Sequence, residues 1–415
     1  MTVGDRLVRR CPGLSIDSGG DASETHGHGP CGPVEREQMG SADIRRATFV
    51  TARRARVLSP ARRSYQRVPV RPAPDCDLVS SGILCGYQQV VRGLDADPVA
   101  LMDQCAIAAA TVDQPQERIA LRQVAKLLEL TAAELDCPDF GMRLAEVQNG
   151  LENMGSVRPA LESARTIGDY YQTASAHMYL YSSGVDIHLE PLDRERYLIR
   201  FHMNADDIVF RRQLMELFLA INRRDAIALS GGRVRPREIW FSHARLATQA
   251  SYDERFGARV RFSQPFDGVV YTAQDMATAI DTHDPRVVED TLKLVHKHHP
   301  RPRDATTEVK RAIHYCMAYL EDCTRVSVSS LLGVHARTLH RRLQAEGTTF
   351  EDIRDEVRRT VVAHYLAQSD AALSDITEWL SYSEPTAFSR ACRRWFGAAP
   401  GELRASLEKR VWSEV

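Results

Sequence analysis

Lysine is scarce in this chain: of 54 basic residues only five are Lys and 49 are Arg. Lys codons are A-rich, so the skew reflects a GC-rich genome and carries no functional content. Net charge is also lacking, since 54 basic residues face 55 acidic ones and leave −1 at pH 7. No global field therefore draws the chain to nucleic acid or membrane, and such a partner must be read from local clusters. No apolar run approaches the roughly 18 residues of a membrane span. The N-terminus lacks the apolar core of a signal peptide. The expectation is a cytoplasmic protein with no membrane partner.

Paired cysteines and catalytic signatures are missing as well. The nine cysteines (11, 31, 76, 85, 105, 137, 316, 323 and 392) are odd in number, scattered, and contain no Cys-x-x-Cys. That pattern fits neither a disulfide framework nor a thiolate zinc site, and predicts reduced thiols acting as small hydrophobes. There is no Gly-x-Ser-x-Gly elbow, no His-Glu-x-x-His and no phosphate loop. Gly231-Gly232 has no strand–helix frame and reads as a loop. The run His296-Lys297-His298-His299 lacks partner carboxylates and reads as a solvated surface. No catalytic residue, no cofactor and no metal site are expected.

What is present divides the 415 residues into segments, two to three domains at about 150 residues each. Residues 1–76 carry Gly19-Gly20, Gly29-Pro30, Gly32-Pro33 and Pro60, Pro69, Pro72 and Pro74 without sustained periodicity. They read as a disordered or mis-assigned N-terminal extension. Within it, Arg45 to Arg71 holds nine Arg and no acid, either a phosphate-touching arm or a plain tail.

Residues 77–298 read as a mixed α/β domain. Ala120, Leu121, Val124, Leu127 and Leu128 form one helical face, and Phe140–Glu146 closes that helical group. Then Met178–Tyr181, Val185–Leu189 and Tyr197–Phe201 alternate or run apolar at strand length, separated by Ser182-Ser183-Gly184 and Asp193-Arg194. A helix is expected over 207–224, and strands at Glu238–His243, Arg259–Phe262 and Gly268–Thr272. About 225 residues suffice to enclose a core and a ligand cavity.

His298-His299-Pro300-Arg301-Pro302-Arg303 reads as an interdomain linker, and residues 299–415 as all helical. Two helix–turn–helix patterns lie there. In Val328–Leu343 a short helix ends at Gly333, and Leu339 and Leu343 form the inner face of the next helix. Arg337, His340, Arg341 and Gln344 then point outward, as on a helix laid in a major groove. In Ser374–Phe396, Ile376 and Leu380 face inward, Pro385 suits the first turn of its helix, and Phe388, Cys392, Trp395 and Phe396 form the seating stripe. Ser389, Arg390, Arg393 and Arg394 lie off that stripe. Between them a helix over 351–367 carries Ile353, Val357 and Val361, and its length of about 25 Å could hold two helices in successive major grooves. The segment 301–415 has 17 basic and 16 acidic groups. Six of its arginines (337, 341, 342, 390, 393 and 394) sit on the two reading helices, against Glu346 and Glu384. Other acids gather at Glu351, Asp352, Asp355 and Glu356.

These residues resemble the DNA-binding domain of the AraC/XylS transcription regulators. The likeness rests on Arg337-Thr338-Leu339-x-Arg341-Arg342-Leu343 with Glu346-Gly347-Thr348-Thr349-Phe350. It continues in Ser383-Glu384-Pro385-Thr386-Ala387-Phe388-Ser389-Arg390-Ala391-x-Arg393-Arg394-Trp395 with Gly397 and Pro400. Here Leu380-Ser381-Tyr382 replaces the usual Leu-Gly-Phe turn, and Ser329 replaces a usual Ala. The middle region resembles the arabinose-binding-type ligand domain of one AraC subgroup. Its matching pieces are Asp139–Glu146, Ile239–Ala244 and Arg255–Phe262, and the name does not imply that arabinose is the ligand.

The resemblance implies a transcription regulator that binds double-stranded operator DNA, answers to an unidentified small-molecule effector and forms a homodimer, with RNA polymerase a candidate further partner. Base readers are expected at Arg337, His340 and Arg341 and at Thr386, Ser389 and Arg390; phosphate contacts are expected from Arg342, Arg393 and Arg394. No ligand-binding residue is singled out. The alternative is a helical protein-interaction module attached to a structural or unrecognised enzymatic domain.

Overall fold

The computed structural model describes residues 78–114, 117–203, 211–299, 304–319, 323–382 and 384–406. The N-terminal extension, with the Arg45–Arg71 segment, and the Pro300–Arg303 linker lie outside the described residues. The chain is multidomain: a mixed α/β sensor region followed by a helical region with two helix–turn–helix units.

Two sheets form in the sensor region. β1 (Leu78–Ser80) and β2 (Arg118–Ala120) pair as a short antiparallel ribbon. β3 (Val185–Pro191), β4 (Arg196–Met203), β5 (Glu238–Trp240), β6 (Arg259–Arg261) and β7 (Asp267–Thr272) make a five-stranded sheet in the order β3-β4-β7-β5-β6. The β3–β4 hairpin is pinned at its turn, where Asp193 Oδ1 accepts from the amides of Glu195 and Arg196, both at 2.9 Å. An Asp side chain that satisfies the turn's backbone in this way sets the register, which pairs Val185 with Met203.

Helices α1 (Leu121–Glu134), α2 (Phe140–Glu146), α3 (Ile167–His177) and α4 (Arg212–Leu229) supply the rest of that core. α3 packs on β3, whereas α4 packs on β7, α1 and α2. Glu129 of α1 accepts from Arg212 at 2.7 Å and from the Gln213 amide at 3.1 Å, fixing the start of α4. Gly141 is required at the α2–α4 crossing, since a Cβ there would stand 2.1 Å from the Gln213 carbonyl oxygen. One apolar cluster runs from Val79 to Val295, the last contributed by α5 (Pro285–His298).

Beyond the linker come α6 (Ala305–Tyr319), α7 (Arg325–Leu331), α8 (Ala336–Ala345), α9 (Phe350–Gln368), α10 (Leu373–Trp379) and α11 (Pro385–Phe396). They have two cores rather than one. The first gathers Val309, Ile313, Leu339, Leu343, Ile353 and Val357, and the second Val362, Leu366, Ile376, Leu380, Phe388 and Cys392. Met317 and Val361 pack against both, so α9 is the shared beam.

The structure departs from the sequence reading at several places. Met178–Tyr181 is not a strand; Met178–Leu180 is a 3-10 turn that continues α3. Met178 and Tyr181 are both buried and sit three apart, so a four-residue apolar run fits a helical turn as well as a strand. Ala120 belongs to β2, and α1 begins at Leu121. α4 begins at Arg212 and runs on to Leu229, while 207–210 lie outside the described residues. β5 stops at Trp240: the Phe241 amide still donates to the Arg261 carbonyl of β6 at 2.8 Å, but Ser242 turns to other partners described below. His296 is not simply solvated either: its Nε2 stands 3.3 Å from Nε2 of buried His177.

Candidate DNA interface and the sensor face behind it

Each half of the helical region is a helix, a tight turn and an outward-facing helix. In the first, α7 is opened by a capping box in which Thr324 Oγ1 accepts from the Ser327 amide at 3.2 Å. Gly333 then turns the chain at φ +67°, and His335 Nδ1 caps α8 by accepting from the Arg337 amide at 3.2 Å. Leu339 and Leu343 are buried beneath α8. Arg337, Arg341 and Arg342 are exposed on its other side, and His340 is half-buried.

In the second half the turn falls on Ser381 at φ +53°. A non-Gly residue in the left-handed region costs about 1–2 kcal/mol. Pro385 occupies the first turn of α11, and Phe388, Ala391 and Cys392 are buried while Trp395 and Phe396 are half-buried. Thr386, Arg390 and Arg393 are exposed and Ser389 is half-buried. No ion pair to Arg337, Arg341, Arg342, Arg390 or Arg393 forms among the described residues. Arg394 differs, since it is paired with Asp355 of α9 at 2.5 Å.

Of the acids weighed against these arginines, Asp355 holds Arg394 and Glu384 accepts from the Thr386 hydroxyl at 3.0 Å at the start of α11, while three others are occupied elsewhere. Glu346 caps α6, accepting from the amides of Ala305 at 2.7 Å and Thr306 at 2.8 Å. Those hydrogen bonds hold its carboxyl below the ordinary range, against the opposing effect of burial. Asp352 bonds to Thr349 at the start of α9, and Glu356 pairs with Lys310 at 3.1 Å. The arginines of α8 thus face outward with no compensating acid on their own helix.

The opposite side of the helical region docks on the sensor sheet. Arg311 of α6 donates to Asp186 of β3 at 2.6 Å. Ser242 Oγ bonds to His364 Nε2 of α9 at 2.7 Å and to Asp267 at 2.7 Å, while the Ala244 amide donates to the Gln368 carbonyl at 2.7 Å. The Tyr365 hydroxyl donates to the Pro265 carbonyl, and the Asp370 amide to Ser263 Oγ at 3.1 Å. Sequence reasoning missed this joint. One of the matching pieces of the ligand domain, Ile239–Ala244, supplies two of these contacts, through Ser242 and Ala244, and the residues joined across the joint lie 100 to 125 positions apart in the chain.

The other matching pieces are scaffold. Asp139 pairs with Arg143 at 2.8 Å and Arg255 at 3.2 Å, and Phe256 stacks among Phe241 and Tyr252. Burial dominates the ionisation of the sensor's inner carboxyls. Glu216, which accepts from the Tyr252 hydroxyl, is pushed up to about 8, and Asp225 to about 7. The same effect holds the Cys105 and Cys392 thiols at about 11, so neither is a thiolate at neutral pH.

Two outward Arg-bearing helices on one beam, joined to an α/β sensor, define a helix–turn–helix DNA-binding regulator. A model described as the arabinose-binding domain of AraC transcription regulator, N-terminal, matches residues 93–280, and one described as a helix-turn-helix domain matches 328–406. The regulator VirS of Mycobacterium tuberculosis is 33% identical over 331 residues, 79% of this chain and 96% of that protein. The ornithine utilization regulator of Pseudomonas aeruginosa is 22% identical over 74% of this chain and 90% of its own length. A crystal structure of the regulator CdpR from P. aeruginosa overlaps 65% of this chain and 87% of that one, at 20% identity and a TM-score of 0.33. The chain belongs to the AraC family of transcription regulators.

Proposed function

We propose that this regulator reads operator DNA with α8 and α11 in major grooves, under the control of a small molecule held by its sensor region. In this reading residues 77–298 sense and dimerise, and 299–415 bind DNA. Arg337, His340 and Arg341 contact bases from the first helix, and Thr386, Ser389 and Arg390 from the second. Arg342, Arg393 and Arg394 contact phosphate and position the protein without specifying sequence. Arg394 must exchange Asp355 for phosphate on binding. The protein acts as a homodimer in the cytoplasm, has no catalytic role, and meets RNA polymerase at the promoter.

The observation that carries this reading is the exposure, on the two outward helices, of five arginines with no ion pair among the described residues; the helices are seated by Leu339 and Leu343 and by Phe388 and Cys392. The test is binding of the full chain to its own upstream DNA and to random DNA across a salt series. A steep salt dependence with at least about 10³-fold selectivity is expected. Absence of DNA binding under every condition would favour the protein-interaction alternative.

A further inference from the structure

Helices α3 and α5 of the sensor region end at the same place. His177 stands in the last turn of α3 and is buried, and His296 stands in the last turn of α5 and is exposed. Their Nε2 atoms are 3.3 Å apart and their ring centres 5.4 Å apart, although 119 positions separate them in the chain. DNA recognition gives this pair no task.

The chemistry of the pair follows from the other nitrogen of His177. Its Nδ1 lies 2.8 Å from the Thr173 carbonyl oxygen, which can only accept, so Nδ1 carries the hydrogen. In the neutral ring Nε2 then holds a lone pair, and that lone pair faces Nε2 of His296. An imidazole whose far N–H is held by a backbone carbonyl is the arrangement that orients metal-ligating histidines.

We propose that His177 and His296 form a binding site for a tetrahedral divalent transition-metal ion, with Zn²⁺ the ion that fits best, which clasps the end of α3 to the end of α5.

Three further observations support it. Zn–N bonds of about 2.0–2.1 Å opened to the tetrahedral angle separate two ligand nitrogens by about 3.3–3.4 Å, whereas a square-planar right angle brings them to about 2.9 Å. The separation here is 3.3 Å. Both rings also sit where a helix macrodipole favours positive charge, and two such C-terminal ends converge on this point. Finally, the frame is built without an ion. The Tyr179 hydroxyl donates to the His299 carbonyl at 2.7 Å, and Val295 anchors the same turn of α5 in the core.

No third His, Cys, Asp or Glu joins the pair among the described residues. Water therefore takes the remaining positions, which the exposure of His296 leaves reachable. Such an open, two-ligand site exchanges its ion and adds stability by mass action, according to its occupancy.

The experiment is calorimetric titration of the full chain with ZnCl₂, repeated with MgCl₂. The expected result is a Zn²⁺ site with a Kd below about 1 mM that Mg²⁺ does not fill, since imidazole suits Zn²⁺ and Mg²⁺ demands oxygen ligands. His177→Phe and His296→Ala should each weaken that site at least about tenfold, whereas the double change His298→Ala and His299→Ala should leave it in place. His296→Ala removes only an exposed ring, so its loss of Zn²⁺ does not reflect unfolding; far-UV circular dichroism checks both single variants. No Zn²⁺ uptake up to about 1 mM, or undiminished uptake in His296→Ala, would overturn the proposal and leave a plain hydrogen bond between two imidazoles. Uptake that survives both single variants but is lost in the double variant would overturn it as well, because the exposed run would then be the ligand. Equal filling by Mg²⁺ would do the same, by showing attraction to the helix ends without imidazole ligation.

Discussion

The two regions of this protein treat charge in opposite ways. Among the described residues the sensor region buries seven charged side chains: Asp139, Asp186, Glu190, Arg200, Glu216, Asp225 and Asp267. Among its described residues the helical region buries no Asp, Glu, Lys or Arg, and its buried polar groups there are His314, His364, Gln368 and small hydroxyl residues. A charge taken out of water must be paired, hydrogen-bonded or neutralised. The sensor does all three, with Arg255 on Asp139, Ser242 on Asp267, and proton uptake at Glu216. The helical region keeps its arginines in water, where a polyanion can reach them. An inner charge creates a site of few partners and sharp chemistry, and an outer one creates a field.

Mutation can test that contrast, beginning with the inner charges. Glu216 has its folded-state value raised from 4.5 to about 8. The stability tied to its proton is complete below pH 4.5 and is lost as pH rises towards 8, because only the unfolded carboxyl ionises in that window. Glu216→Gln should therefore raise stability at pH 8 relative to pH 5 by on the order of 4 kcal/mol, measured by urea denaturation. An unchanged pH slope would show that Glu216 is ionised inside. Glu190 and Asp225, each at about 7, leave part of the slope in place.

The outer region should respond through packing and recognition instead. Leu343→Ala opens the first core and should cost about 3 kcal/mol, with the loss appearing in thermal unfolding at any pH between 5 and 8. Arg390→Ala should lower operator affinity by about 1–3 kcal/mol and relax preference at one base position. Arg393→Ala should weaken operator and random DNA alike and reduce the salt slope. Equal losses on both DNAs for Arg390→Ala would move that side chain to the backbone.

The two turns give a smaller and sharper comparison. Ser381→Gly should stabilise the protein by about 1 kcal/mol, and Gly333→Ala should destabilise it by about as much, since both positions hold positive φ. Least of all, Arg394→Ala should change stability by about 0–1 kcal/mol, because its pairing with Asp355 is largely exposed.

How far the sequence spoke depended on how local the determining interactions are. The helix–turn–helix halves were legible because Leu339/Leu343 and Phe388/Cys392 recur at helical spacing and Gly333 marks its own turn. The β3–β4 hairpin was legible through alternation and the Asp193 turn. Met178–Tyr181 was misread, because four apolar residues fit a 3-10 turn as well as a strand. The role of Glu346 was hidden too: it looks like an acid on a DNA-reading helix, yet it caps α6 some 40 residues earlier in the chain.

By itself, then, the sequence determined the element types, the two inward stripes of the helical region and the outward set of arginines, since periods of 2 and 3.6 residues sort side chains to faces without reference to the rest of the chain. Only the tertiary structure decided which faces meet. Ser242 with His364, Asp186 with Arg311, and the His202 ring with the His314 ring all join residues more than 100 positions apart. Such contacts exist only once both regions have folded, because no local period encodes the partner of a side chain that the chain reaches a hundred residues later.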